Sequence, residues 1–310
     1  MEKKCFLNGR DVDLRYGTYT ALLSEFLTQK NFKLVPSHLN QLEILAACEN
    51  HKAIATTTLG GVKYPLPQTA QMLLEEYILT TRLKRIFTYS ISYRDEDVID
   101  DNRHLRLFSM LEVESVGDFH TMIDFLSELC EWFYKEPIFV TYKEAQDILG
   151  ITSTLTEDNE TDLIKVILER YNTKYNSNVS DIIVALTNFP KETNPYFNME
   201  YEDGNALKID LLALSKSTGK ALEIGGFAQR SSDVTAIRER FYTQTNGDYV
   251  KTLFSLFGED RVMTALDTYL NQIEMFTAKP ENKNVARWGG GIGLARLLDT
   301  IEVHPFKLLK

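Results

Sequence analysis

Apolar residues recur along this chain with two different periods, and each change of period predicts a new element. In residues 13–30, Leu22, Leu23, Phe26 and Leu27 stand at helical spacing with polar residues between them. Asn31 reads as a stop, and Phe32-Lys-Leu-Val-Pro36 as an extended segment ended by its proline. Residues 65–79 predict an amphipathic helix with Met72, Leu73 and Leu74 inward. The apolar run of residues 85–92 reads as a strand, and residues 109–114 alternate as a second one. Between them lies a long charged loop, a length that is usually functional. Residues 120–135 predict a core helix carrying Met122, Ile123, Phe125, Leu126, Leu129, Cys130, Trp132 and Phe133. Residues 141–180 are mixed and polar and read as short helices in an insertion.

The second half returns to strands. Residues 182–186 form a continuous apolar run, a buried strand. Asp203-Gly204 marks a turn, residues 206–212 alternate, and Ser215-Lys-Ser-Thr-Gly219 turns the chain into a return strand over 221–230. Residues 248–271 read as one helical stretch packed through Leu253, Leu256, Phe257, Val262, Leu266 and Tyr269. Ala286-Arg-Trp288 leads into a glycine-rich strand, and Arg296 opens the last helix.

Composition narrows the classes. At 310 residues, 44% hydrophobic and 25% charged, the chain is an ordinary globular protein. A net charge of -10 argues against dominant binding to a nucleic-acid backbone. Cys5, Cys48 and Cys130 are scattered and odd in number, which fits reduced thiols and no zinc site. No apolar run is long enough to span a bilayer, and the start lacks a signal peptide's apolar segment, so a cytoplasmic location is expected.

The charged loop carries the chemistry. Tyr93-Arg-Asp-Glu96 opens it and Arg103-His-Leu-Arg-Leu-Phe108 closes it. Cations suit phosphates, an acid suits an exocyclic amine, and a ring can stack on a base. This arrangement resembles motif 2 of class II aminoacyl-tRNA synthetases, and Gly289-Gly-Gly-Ile-Gly-Leu-Ala-Arg296 resembles motif 3. Both occur in the family's order, and their spacing is similar to the aspartyl/asparaginyl branch. The resemblance implies an α+β fold, an antiparallel β-sheet flanked by helices, with residues 1–310 as a single catalytic domain. It also implies ATP and Mg2+. Arg94 would meet the α-phosphate and the reacting carboxylate, Glu96 the adenine amine, and His104 the γ-phosphate. Phe108 would stack on adenine and Arg296 would meet the γ-phosphate; Arg94 and Arg296 are the catalytic candidates. Leu107 stands where the branch usually has an acid.

Further segments extend the likeness. Gln68-Thr-Ala-Gln71-Met-Leu-Leu74-Glu75 resembles the floor of the branch's amino-acid pocket, making Gln71 and Leu74 substrate-binding candidates. Leu74 replaces the lysine of aspartyl enzymes and is similar to the asparaginyl form. Pro190-Lys191 through Pro195-Tyr196-Phe197 resembles a strand exit beside that pocket. Glu223-Ile-Gly-Gly-Phe-Ala-Gln-Arg230 resembles the branch's return strand. Strand alternation places Glu223 and Gly225 on one face. The resemblance implies that Glu223 holds magnesium with Asp210 as a second acid, and that Arg230 grips the substrate by its planar fork. The plain alternative for Glu223 is a pair with Lys220. The helix, strand and Pro36 resemble motif 1, which implies a homodimer, with an ordinary helix and edge strand as the alternative.

Aspartyl and asparaginyl enzymes carry an N-terminal β-barrel that reads the anticodon. The stretch before the first predicted helix is too short for one, and no basic tail replaces it. No stable transfer-RNA complex is therefore expected. Stand-alone relatives of asparaginyl-tRNA synthetase make asparagine from aspartate and ammonia, and the resemblance implies that reaction here. The open alternatives are a tailoring ligase amidating another carboxylate, such as one on a peptide, a barrel-less aminoacyl-tRNA ligase, or a non-catalytic regulatory paralogue.

Overall fold

The computed structural model describes residues 9–37, 44–47, 50–96, 105–133, 136–177 and 179–300. In chain order the elements are α1 (Gly9–Gln29), β1 (Lys33–Leu34), β2 (Thr56–Leu59), β3 (Val62–Pro65), α2 (Gln71–Thr80), β4 (Arg85–Tyr93) and β5 (Leu107–Val116). Then come α3 (Phe119–Phe133), β6 (Ile138–Thr141), α4 (Tyr142–Leu149), α5 (Glu157–Tyr175), β7 (Val184–Pro190), β8 (Tyr201–Glu202), β9 (Asn205–Leu214) and β10 (Ala221–Arg230). The last are α6 (Val234–Thr243), α7 (Asp248–Phe257), α8 (Glu259–Thr277), β11 (Arg287–Gly293) and α9 (Leu294–Thr300). Among the described residues, one nine-stranded sheet runs in the order β1-β4-β5-β11-β10-β9-β7-β6, with β8 added on β9. Its centre is antiparallel, as expected, and parallel pairs close both edges: β1 on β4 and β6 on β7. The sheet is thus α+β in class but mixed in pairing.

Alternation along the central strands builds two different faces. One face presents Leu111, Val113, Ile209, Leu211, Phe227 and Ile292 to α1, α3 and α9, in a cluster with Leu23, Phe26, Leu126 and Leu297. Burying each such side chain contributes about 1.5–3 kcal/mol, so this layer supplies much of the stability. Asn31 ends α1 in the left-handed conformation, as its position predicts (φ 63). The other face carries two separate apolar clusters. One joins α2, α6, α7 and α8 to Ile86. The other joins α4 and α5 to Val184, Leu186 and Leu212. The strand surface between them is polar, and that gap is where a ligand can reach the sheet.

Three sequence expectations change. Residues 141–180 are not short helices of an insertion: α5 runs for 19 residues and its Leu163, Ile164 and Ile167 pack on the sheet. Its polar outer face hides that stripe in a composition reading. Capping boxes, Thr141 with Glu144 and Thr156 with Asn159, fix where α4 and α5 begin. The expected single helix over 248–271 is two, because Gly258 at φ 86 ends α7 and starts α8. Trp132 lies at the rim of the α3 face, its ring tilted against Phe26 with centroids 5.5 Å apart, and it is exposed. Among the described residues, no helix is long and apolar enough to cross a membrane.

Candidate active site

The polar face is organised in rows that run across the strands. The antiparallel register sets Thr88 beside Glu112, Glu112 beside Gly291, Gly291 beside Gly226 and Gly226 beside Asp210. Directly opposed residues share a face, so two buried acids flank a floor of bare backbone. The next row runs Ile86, Glu114, Gly289, Ala228 and Lys208. The glycines are needed for packing as well as for access. A Cβ at Gly289 would fall on the Glu114 carboxylate, and one at Gly290 would strike the Phe227 ring on the opposite face. At Gly291 it would meet Met110 Cε at 2.7 Å. Glu112 is held by neutral donors: the Ala70 amide at 2.7 Å and the hydroxyls of Thr69 and Ser90.

Glu223 and Gly225 do not share a face. The register slips between them, because Ile224 is an extra residue against β9: Glu223 opposes Leu212 and Gly225 opposes the next residue, Leu211. Ile224 and Phe227 therefore both enter the core, and it is Gly226 that shares the polar face with Glu223. A Cβ at Gly226 would lie 3.1 Å from Glu223 Oε1 and 3.1 Å from Asp210 Oδ1, so both carboxylates converge on that point. Asp210 is paired with Lys208, whose Nζ lies 2.6 Å from Oδ2. Burial pushes the Asp210 carboxyl up to about 7; Lys208 pulls it down and the Glu223 charge pushes it up. Asp210 Oδ1 is buried and, among the described residues, has no hydrogen-bond partner. Glu223 is exposed. An orphaned buried carboxylate oxygen beside a second, exposed carboxylate fits a divalent cation with hard oxygen ligands. Among the described residues no three His, Cys, Asp or Glu side chains gather into a metal cage. Magnesium ordinarily uses one or two carboxylates and completes its shell with phosphates and water.

The motif 2 candidates meet at the other end of this face. Arg94 follows the end of β4, and its guanidinium carbon lies 5.3 Å from the centroid of the Phe108 ring on β5. The Arg94 amide donates to the Arg106 carbonyl at 2.9 Å, extending the hairpin into the loop. Arg106 in turn donates to the Glu96 carbonyl through Nε at 3.3 Å and Nη2 at 3.0 Å. His104 lies outside the described residues. Arg296, in the first turn of α9, donates from Nη1 to the Glu223 carbonyl at 2.9 Å. The structure thus brings Arg94 to Phe108 and Arg296 to Glu223.

Arg230 is buried, and its fork is already engaged. Nε and Nη2 donate to the two oxygens of Glu114, each at 3.1 Å, and Nη2 also donates to Gln71 Oε1 at 2.6 Å. Among the described residues Nη1 is the nitrogen left out of these bonds. Burial pushes the Glu114 carboxyl up to about 7, and the Arg230 charge opposes it. Gln71 lies in this group as expected. Leu74 does not face it: it is fully buried among Ile78, Ile86 and Phe241. Its contribution to a pocket is limited to shape and to the absence of a cation. Beneath Arg230 lies a second buried pair unread in the sequence. Arg287 Nη1 donates to Glu75 Oε1 at 2.7 Å, which also accepts from the Tyr269 hydroxyl at 2.8 Å, while Asn198 donates to Oε2 at 3.0 Å. The signal available was Glu112-Val-Glu114: two acids in step on a core strand must face something polar.

The comparisons agree with this architecture. The model of class II tRNA synthetases (D, K and N) matches residues 18–301. Among solved structures, asparaginyl-tRNA synthetase from Pyrococcus horikoshii, complexed with asparaginyl-adenylate, superposes with TM-score 0.67 at 20% identity, covering 92% of this chain and 63% of that one. The aspartyl enzyme of Entamoeba histolytica gives TM-score 0.65 at 20% identity, with coverage of 94% and 55%. A putative aspartyl-tRNA synthetase from Leishmania major Friedlin gives 0.66 at 16%, with coverage of 92% and 61%. The chain therefore spans less than two thirds of the length of these structures. No curated protein matches it by sequence. With the family model matched over nearly the whole chain, this protein belongs to the class II tRNA synthetase family (D, K and N).

Proposed function

We propose that the chain activates an amino-acid carboxylate with ATP as an acyl adenylate, with aspartate-to-asparagine conversion by ammonia as the leading reaction. The observations that support this reading are the Arg94 guanidinium over the Phe108 ring, the Arg296 bond to the Glu223 carbonyl, and the glycine strand paired along the strand that carries Glu223 and Arg230. In the mechanism, a carboxylate oxygen attacks the α-phosphorus and the bond to pyrophosphate breaks. Arg94 and Arg296 neutralise charge that develops on the phosphates, which is the largest contribution such a site makes. Phe108 offers a face to the base, and Glu96 and His104 complete the proposed nucleotide contacts. Glu223 and Asp210 would hold magnesium, which supplies further charge neutralisation at the phosphates. Glu112 offers carboxyl oxygens on the floor, and Arg230 Nη1 suits the carboxylate remote from the reacting one. For asparagine formation, the β-carboxylate of aspartate faces the phosphate and its α-carboxylate meets Arg230. Ammonia then attacks the acyl carbon, the bond to AMP breaks, and a proton leaves. A cytoplasmic homodimer of single catalytic domains is part of this proposal.

The family match favours a second reading, in which transfer RNA is the acceptor. One assay separates the two. Pyrophosphate exchange is measured with each amino acid, followed by product analysis with ammonium or with transfer RNA. Aspartate-dependent exchange with asparagine formed only when ammonium is present supports the first reading. Exchange with a product esterified to transfer RNA supports the second, and no amino-acid-dependent exchange refutes both.

A further inference from the structure

We infer that Lys208 is a tethered cation that weakens the Asp210–Glu223 pair as a site for a free divalent ion, so that the metal enters together with the nucleotide. The inference rests on the reading of that pair as the metal site. Lys208 and Asp210 stand two residues apart on β9 and so share a face. Lys208 Nζ is 2.6 Å from Asp210 Oδ2, with the two side chains 22% and 9% exposed. The ammonium also lies 4.2 Å from the centroid of the Phe189 ring on the neighbouring strand β7. That contact helps hold the head group over Oδ2. Only Oδ1 then remains, and it turns to the point above Gly226 that Glu223 Oε1 also reaches.

The consequence is one of charge count. Two ionised carboxylates alone present two negative charges, and ligand charge is the main lever on affinity for hard divalent ions. Lys208 cancels one of them and fills one of the four oxygens. A triphosphate brings its own charge and oxygens, so an ion already on the nucleotide needs only Glu223 and the free Asp210 oxygen.

The test is Mn2+ binding to the full chain, read by electron paramagnetic resonance, without nucleotide and with a non-hydrolysable ATP analogue. Lys208→Met is expected to tighten Mn2+ binding to the nucleotide-free chain at least tenfold, and Asp210→Asn in the same chain is expected to erase the gain. Lys208→Gln is expected to show the same direction, which covers the case in which the methionine variant does not fold. Unchanged or weaker nucleotide-free affinity in the folded variant overturns the role of Lys208. So does a gain that survives Asp210→Asn. Glu223→Gln with the analogue separates the two levels. Loss of Mn2+ there keeps the metal assignment whatever Lys208 does, and unchanged binding removes the assignment and the inference with it.

Discussion

Gly289→Ala tests the site's construction most directly. The added methyl would land on the Glu114 carboxylate and within 2.8 Å of the Val113 carbonyl, from which backbone cannot retreat cheaply. The Glu114 side chain must leave, and its pair with Arg230 goes with it. Overpacking alone costs about 1–3 kcal/mol. Stranding a buried ion-pair partner costs about 3–5 kcal/mol. A loss of about 4 kcal/mol or more follows. Unfolding entropy of about 2.1 cal/mol/K per residue converts this to a fall in Tm of about 6 °C for a chain of this length. Scanning calorimetry reads the shift, with Gly291→Ala as the comparison. There the obstacle is the end of the flexible Met110 side chain, which can swing aside, so the fall should be smaller. Gly289→Ala melting within about 1 °C of the parent would refute the placement of Glu114 over that glycine.

Other outcomes follow from the same geometry. Arg230→Lys keeps the charge but cannot serve Glu114 and Gln71 and still reach a ligand, so amino-acid KM should rise with ATP KM unchanged in steady-state kinetics. Arg94→Ala and Arg296→Ala should each lower adenylate formation by at least a hundredfold in pyrophosphate exchange, with circular dichroism unchanged. Glu114 titrates near 7 when folded, above its ordinary 4.5. The unfolded chain therefore releases this proton first, and the group costs stability as pH rises from about 4.5 to about 7, by about 3 kcal/mol in all. Denaturation midpoints of Glu114→Gln should lack that decline relative to the parent. Cys130 is buried with its thiol pushed up to about 12, so thiol reagents should modify it only on unfolding.

What the sequence makes legible is local. Arg94 and Phe108 are set by a hairpin whose two strands are close in the chain, and the Arg94 guanidinium lies over the Phe108 ring. The seven-residue step from Glu223 to Arg230 is equally readable. The facing of those residues is not, because the extra Ile224 exists only relative to β9, and alternation read on one strand cannot reveal it. Arg230 likewise looks free for a substrate until Glu114, 116 residues away, is seen to hold its paired edge. The Glu75–Arg287 pair spans 212 residues and leaves no local trace. Leu74 is the reverse case: its motif position marks it for a pocket, while its apolar neighbours make it core.

The slipped register in β10 also bears on how this chain tolerates change. A strand without a bulge transmits any inserted or deleted residue along its whole length, turning every later side chain over. Here the phase is already reset between Glu223 and Gly225, upstream of Arg230 and of the contacts with β11. The hairpin through Ser215 and Gly219 can therefore lengthen or shorten while the downstream half of the strand keeps its frame. Such a break acts as an expansion joint: drift on the hairpin side ends at Ile224, and the arginine end of the site is left in place.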